Sequence, residues 1–92
     1  MASDRNQALY SGGDGSSIDL SVVINTESTA VGIPAEYEYV SKLFGKMDVD
    51  WTMIRQSLIA HNGRHYDVLL IKLNNDGEKS ICFDITQFYG KD

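Results

Sequence analysis

The chain contains one cysteine, Cys82, one proline, Pro34, and one tryptophan, Trp51. A single thiol excludes an intramolecular disulfide, so the fold is not a stapled secreted scaffold. Histidine is almost as scarce, with only His61 and His65. Two imidazoles and one thiol fall short of the ~three or four ligands that a zinc site recruits. The basic residues never stand side by side, and 13 acids outweigh 8 bases for a net charge of −5. That balance disfavours nucleic acid, whose binding draws on clustered Lys and Arg. Long apolar runs are missing too. No segment approaches the ~18 apolar residues of a membrane helix. The opening Met1-Ala2-Ser3-Asp4-Arg5 has no apolar signal-peptide core. These absences predict a cytoplasmic protein with no membrane or nucleic-acid partner and no cofactor.

What is present fits one small domain of 92 residues. A chain of this size buries only a little over ~60% of its unfolded surface, which leaves a thin stability margin. Gly12, Gly13 and Gly15 make ordering costly near the N-terminus, so residues 1–16 are expected as a flexible tail and 17–90 as the domain. The glycines do not form a phosphate loop, because a strand follows them and no Gly-Lys-Ser/Thr does.

Ile18, Leu20, Val22 and Ile24 alternate with mostly polar neighbours, a period of two that predicts a half-buried strand over 18–24. Pro34 suits a first helical turn. Tyr37, Val40, Leu43 and Phe44 follow at helical spacing and Gly45 suits a cap, so a helix is expected over 34–44 with Glu36 in its first turn, favourable to the dipole. From Trp51 onward the chain reads as a three-stranded meander. Asn62-Gly63 is a strong hairpin signal between Trp51–His61 and Arg64–Asn74, and Asn75-Asp76-Gly77 leads into Glu78–Thr86. The expected fold is α+β, a β-α-β-β-β order with one amphipathic helix on a mainly antiparallel sheet.

Turn lengths set the register. A two-residue turn at Asn62-Gly63 places Leu58 opposite Asp67, Gln56 opposite Leu69 and Ile54 opposite Ile71. A three-residue loop over Asn75–Gly77, with Gly77 left-handed, places Leu69 opposite Phe83 and Ile71 opposite Ile81. One face then carries Ile54, Leu58, Leu69, Ile71, Leu73, Ile81, Phe83 and Ile85, which the helix is expected to cover. The other carries Met53, Ile59, Tyr66, Val68, Leu70 and Cys82, with Arg55, Ser57, Lys72 and Asp84 among them, too apolar for a fully solvated sheet face. Its expected cover is a second subunit, with the Phe88-Tyr89 tail or the N-terminal segment as alternatives.

Candidate chemistry is sparse. His61 and His65 project to opposite faces of the hairpin. Asp67 falls in the core-face row, where a carboxyl needs a partner or a raised pKa, and His65 is its neighbour on that face. A His65–Asp67 pair is the one arrangement capable of orienting a general base, but no nucleophile stands beside it. Cys82 is expected to be buried and inert, and Arg55 and Asp84 to form a salt bridge. The Asn74–Gly77 turn fails as a calcium loop, because Lys72 and Phe83 fall where acids are required. Asp48 and Asp50 read as a solvated link, and Trp51, Tyr37 and Tyr39 as aromatic core.

The expected function is a non-enzymatic interaction module, a homodimer or the subunit of a complex. A small acidic inhibitor or immunity-type protein binding a basic partner is the second reading. It requires Asp19, Glu36, Glu38, Asp48 and Asp50 on one surface. An enzyme using His65 and Asp67 is the third.

Overall fold

The structure is a computed structural model and describes residues 8–91. The elements run β1 (Tyr10–Gly12), β2 (Val22–Ile24), α1 (Thr29–Phe44), β3 (Trp51–His61), β4 (Arg64–Leu73) and β5 (Glu78–Asp84). They form an α+β domain, one helix on a five-stranded sheet of order β1-β2-β5-β4-β3. All neighbours are antiparallel except β2 and β5, which run parallel with Val22 opposite Phe83.

Part of the segment expected as a tail is a strand. β1 pairs with β2, Tyr10 opposite Ile24, and the Tyr10 hydroxyl donates to the Ala35 carbonyl at 2.7 Å. Residues 1–7 lie outside the described residues. The strand expected over 18–24 shortens to Val22–Ile24. Gly13 N–H donates to the Ser21 carbonyl (2.9 Å) and Gly15 N–H to the Leu20 carbonyl (2.7 Å), which folds this stretch into turns and leaves Leu20 exposed.

The helix starts earlier than Pro34 implies. Ser28 is its cap, with the Ser28 hydroxyl accepting from Val31 N–H at 3.3 Å, so Pro34 lies inside the helix. Its ring leaves the Ala30 carbonyl without a helical donor, and Ala30 is exposed, so water can take that place. The C-terminal end falls at Gly45 as expected, although its ψ of −158° is not that of a left-handed helical cap. Gly45 has φ 104° and donates to the Ser41 carbonyl at 2.9 Å. The Trp51 indole N–H donates to the Gly45 carbonyl at 2.8 Å and ties the helix end to β3.

The hairpin register holds from His61↔Arg64 through Leu58↔Asp67 to Gln56↔Leu69. A bulge between Met53 and Arg55 then shifts it. Ile54 is the extra residue and is 44% exposed, while Met53 pairs with Ile71 and packs on the core. The second turn slips by two positions. The Leu73 N–H donates to the Gly77 carbonyl at 2.7 Å, the loop is Asn74–Asp76, and Asp76 rather than Gly77 is left-handed at φ 70°. Leu69 therefore faces Ile81 and Asp67 faces Phe83. A slip of two keeps every side chain on its face.

α1 covers most of the inner face, leaving Leu58 exposed. Val22, Ile24, Ala35, Val40, Trp51, Leu69, Ile71, Ile81, Phe83, Ile85 and Phe88 form one buried cluster, with Tyr39 edge-on to Phe83 at 5.6 Å. Gly32 lets the C-terminal turn dock, since a Cβ there would meet the Phe88 ring at 2.5 Å.

Asn62 and Gly63 have φ of 51° and 77°, the double positive φ of a type I′ turn. A Cβ on Gly63 would touch nothing within 4 Å, so Gly63→Val tests backbone conformation alone. It is expected to lower stability by about 1 kcal/mol or more in a denaturant titration. Unchanged stability would contradict the turn.

Candidate functional site

The residues singled out in the sequence scatter. His61 lies at the hairpin tip, its Nε2 3.2 Å from the Asn62 side-chain nitrogen. His65 stacks on Tyr89 with ring centroids 4.0 Å apart, and its backbone N–H donates to the Thr86 hydroxyl at 3.0 Å. Among the described residues no side-chain hydrogen bond joins His65 to Asp67, although both lie on the inner face. No three His, Cys, Asp or Glu side chains gather as a metal-binding group among the described residues. Cys82 is buried mid-strand, which pushes its thiol pKa up.

The expected Arg55–Asp84 bridge is replaced by Arg64–Asp84 at 2.7 Å. Arg64 lies nearer because Asp84 sits opposite Tyr66 in the slipped register. Burial pushes the Asp84 pKa up, but hydrogen bonds from Arg64 and Thr86 outweigh it and hold the carboxyl below its usual range. Thr86 donates twice, from its hydroxyl at 2.6 Å and its backbone N–H at 3.0 Å. Asp50 is likewise structural, accepting from Lys46 N–H at 2.8 Å.

The unusual chemistry lies between α1 and β4. Glu36 is not in the first helical turn. It falls one turn before Val40 on the buried stripe and is 3% exposed. It points at the sheet where β4 carries Asp67, itself 2% exposed. The Gln56 side-chain amide, on β3, donates to Asp67 Oδ2 at 2.7 Å. Glu36 Oε1 and Asp67 Oδ1 are enclosed, and no group other than the facing carboxyl donates to them among the described residues. Burial, the hydrogen bond to Asp67 and the Asp67 charge together push the Glu36 pKa up to about 10. Glu36 therefore keeps its proton at neutral pH and shares it with Asp67.

This pair lines a cavity of about 230 Å³ bounded by the first turns of α1, the β3 edge and the C-terminal turn. Its apolar walls are Ile33, Leu58, Ile85, Phe88 and Tyr89. Leu58 belongs to the inner row but lies beyond the cover of the helix, and it is 62% exposed. Asp67 was visible in the sequence as a carboxyl in an apolar row. Glu36 was missed. The available signal was its spacing of four from Val40 on a helix that begins at Thr29. Compared with family models, curated proteins and solved structures, the chain matches none.

The shared proton makes stability depend on pH. The unfolded chain releases the Glu36 proton near pH 4.5, whereas the folded chain holds it to about pH 10. Between these values the folded state binds more protons, so stability falls as pH rises, by up to about 1.4 kcal/mol per unit. Below the ordinary carboxylate range the sign reverses, because Asp84 is held ionised in the fold and its contribution is lost as pH falls. Thermal melts are expected to show higher stability at pH 5.5 than at pH 8. Glu36→Gln, which mimics the protonated acid, is expected to flatten that slope and to stabilise the fold at pH 8 by about 1 kcal/mol or more. A parent equally stable at both pH values would contradict the shared proton.

Proposed function

We propose that this chain is a non-enzymatic interaction module that works as a homodimer, or as a subunit of a complex, through its outer sheet face. One observation carries the reading. Val68 and Leu70 stand on that face only half-buried, beside exposed Ile59, and no described helix or tail lies over them. The C-terminal turn goes elsewhere, with Phe88 against Gly32 of the helix and Tyr89 against His65 on the inner side. The N-terminal strand joins the sheet edge rather than its face. Tyr66 and Cys82 extend the same patch and are buried by their neighbours, while Met53 has left it.

A second copy is the partner this face fits. β3 and β4 are 11 and 10 residues long. At ~3.3 Å per residue and ~4.8 Å between strands, the β3–β4–β5 face offers roughly 500 Å² in projection. With its rim it approaches the ~800 Å² per partner of a standard interface. Two such faces pack back to back about a twofold axis. The inhibitor reading has less support, since Glu36 is buried and Asp50 is engaged within its own turn. The enzyme reading has less as well, since His65 is engaged with Tyr89. Among the described residues no helix is long and apolar enough to cross a membrane.

Sedimentation equilibrium tests the proposal. The parent is expected to dimerise at micromolar concentration. Leu70→Lys is expected to give a folded monomer. Ile71→Lys, one residue along and fully buried under the helix, is expected to unfold the chain by burying an unpaired charge. A parent that stays monomeric at high concentration contradicts self-association through this face.

A further inference from the structure

The sheet ends on two edges of different kinds. β1 is 3 residues long, whereas β3 runs for 11, and among the described residues no strand lies beyond it. Ladder geometry shows which of its backbone groups are free. His61 and Arg64 flank the two-residue turn and exchange both ladder bonds, and Ile59 and Ser57 repeat that pattern opposite Tyr66 and Val68. Gln56, Leu58 and Ala60 fall between them, so their N–H and C=O groups turn away from β4. The partner row agrees, because the carbonyl of His65, opposite Ala60, turns to the far side of β4 and accepts from Ile85 N–H at 2.9 Å. Among the described residues no group bonds to the outward N–H and C=O groups of Gln56, Leu58 and Ala60, and all three residues are exposed. Sheet edges are commonly blunted by charge, proline, a bulge or shortness. The bulge at Ile54 and the charge of Arg55 protect the first half of β3. The stretch Gln56–His61 contains no Asp, Glu, Lys, Arg or Pro, and Leu58 and Ile59 are 62% and 39% exposed within it.

We infer that the β3 edge pairs with the same edge of a second copy, antiparallel about a twofold axis perpendicular to the sheet, with Leu58 opposite Leu58. This register places Gln56 opposite Ala60 of the second copy. Each facing pair of outward residues then exchanges both N–H···O bonds, so the whole free row is satisfied. Leu58 meets its copy on the inner side, and Ile59 meets Ser57 of the second copy on the outer side. Charge argues for a second copy as the occupant. The chain has 13 acids and a net charge of −5, yet no Asp or Glu stands between Trp51 and Tyr66. Two copies that meet at this edge bring no carboxylates of β3 together. Arg64 is held by Asp84 at 2.7 Å, which leaves Arg55 as the charge on the edge. Arg55 faces His61 of the second copy, and the two Arg55 side chains stand roughly 20 Å apart, beyond the ~8 Å screening length. The edge is a different surface from the outer sheet face. The inference therefore goes beyond the outer-face reading and does not rest on it.

The contact is one strand wide, narrower than a standard interface, so a Kd of about 0.1–1 mM is expected. The test is amide hydrogen exchange by NMR on the whole chain, at about 20 µM and about 2 mM, on either side of that value. It is run on the parent and on Leu70→Lys, which lacks the outer-face contact. At the lower concentration the Gln56, Leu58 and Ala60 amides are expected to exchange as open-strand amides, while β4 protects Ser57 and Ile59. At the higher concentration the three outward amides are expected to slow several-fold in both chains, and Leu70→Lys is expected to sediment toward a dimer. Leu58→Lys sets two like charges face to face at an exposed position, and Ala60→Pro removes one outward N–H without touching the β4 ladder. Both are expected to keep the outward amides fast at the higher concentration, with Ser57 and Ile59 still protected. Parent dimers whose outward amides stay fast would overturn the edge pairing and leave the outer-face reading standing. In that case the edge is open to an extended segment of a different protein. Slow outward amides in a monomer at both concentrations would overturn it too, by showing that the chain covers its own edge. Unaltered slowing in both Leu58→Lys and Ala60→Pro would contradict the register.

Discussion

A single helix has to seal one face of a five-stranded sheet, and its buried stripe contains an acid. Ala35, Val40 and the aromatic groups of α1 lie on Leu69, Ile71, Ile81 and Phe83, where apolar area leaves water on both sides of the contact. Glu36 shares that stripe and meets Asp67. Two ionised carboxylates in a dry contact would repel each other and lack solvation. One proton between them removes both problems. The fold accepts this proton as part of its interior.

The same constraint shapes the outer sheet face and the sheet-end cavity. Sixteen helical residues cannot reach the whole inner face. Where α1 runs out, Leu58 stands uncovered and the carboxyl pair becomes the floor of a cavity that the C-terminal turn closes on one side. With α1 committed to the inner face and Phe88 docked against Gly32, neither covers Val68 and Leu70 on the outer face. The outer patch and the sheet-end cavity are therefore two results of one shortage of covering structure. They differ in chemistry, since on the outer face Ile59, Val68 and Leu70 stand among polar residues such as Arg55, Ser57 and Lys72, whereas the cavity is small, with buried carboxyls behind an apolar mouth.

Much of this architecture was legible in the residues. Asn62-Gly63 fixed the hairpin tip, and with it every pairing from His61 to Gln56. The assignment of Leu69, Ile71, Ile81 and Phe83 to one face survived a misplaced second turn, because the loop over Asn74–Asp76 differs from one over Asn75–Gly77 by a slip of two. The bulge at Ile54 was not legible. Met53 and Ile54 are both apolar, so either suits the core and only tertiary packing chooses. Pro34 misled because proline favours first turns, whereas here Ser28 supplies the cap and the helix tolerates the ring at an exposed position. Ile18 to Ile24 alternates like a strand, yet the Gly13 and Gly15 amides bind its backbone and fold most of it into turns. Glu36 was hidden by the same error. With a helix starting at Pro34 it sits in a favourable first turn, and only a start at Thr29 turns it inward.

The most direct measurement of the central claim is a carbon-13 NMR titration of the Glu36 and Asp67 side-chain carboxyl carbons in the intact chain. A shared buried proton predicts that the Glu36 carbon keeps the chemical shift of a protonated acid through neutral pH. It also predicts that Asp67→Asn lowers the pH at which the Glu36 carbon titrates, because the neighbouring charge is removed. A Glu36 transition in the ordinary carboxylate range, with Glu36 ionised at pH 7, would contradict the pair. The contact between α1 and β4 would then require a different account.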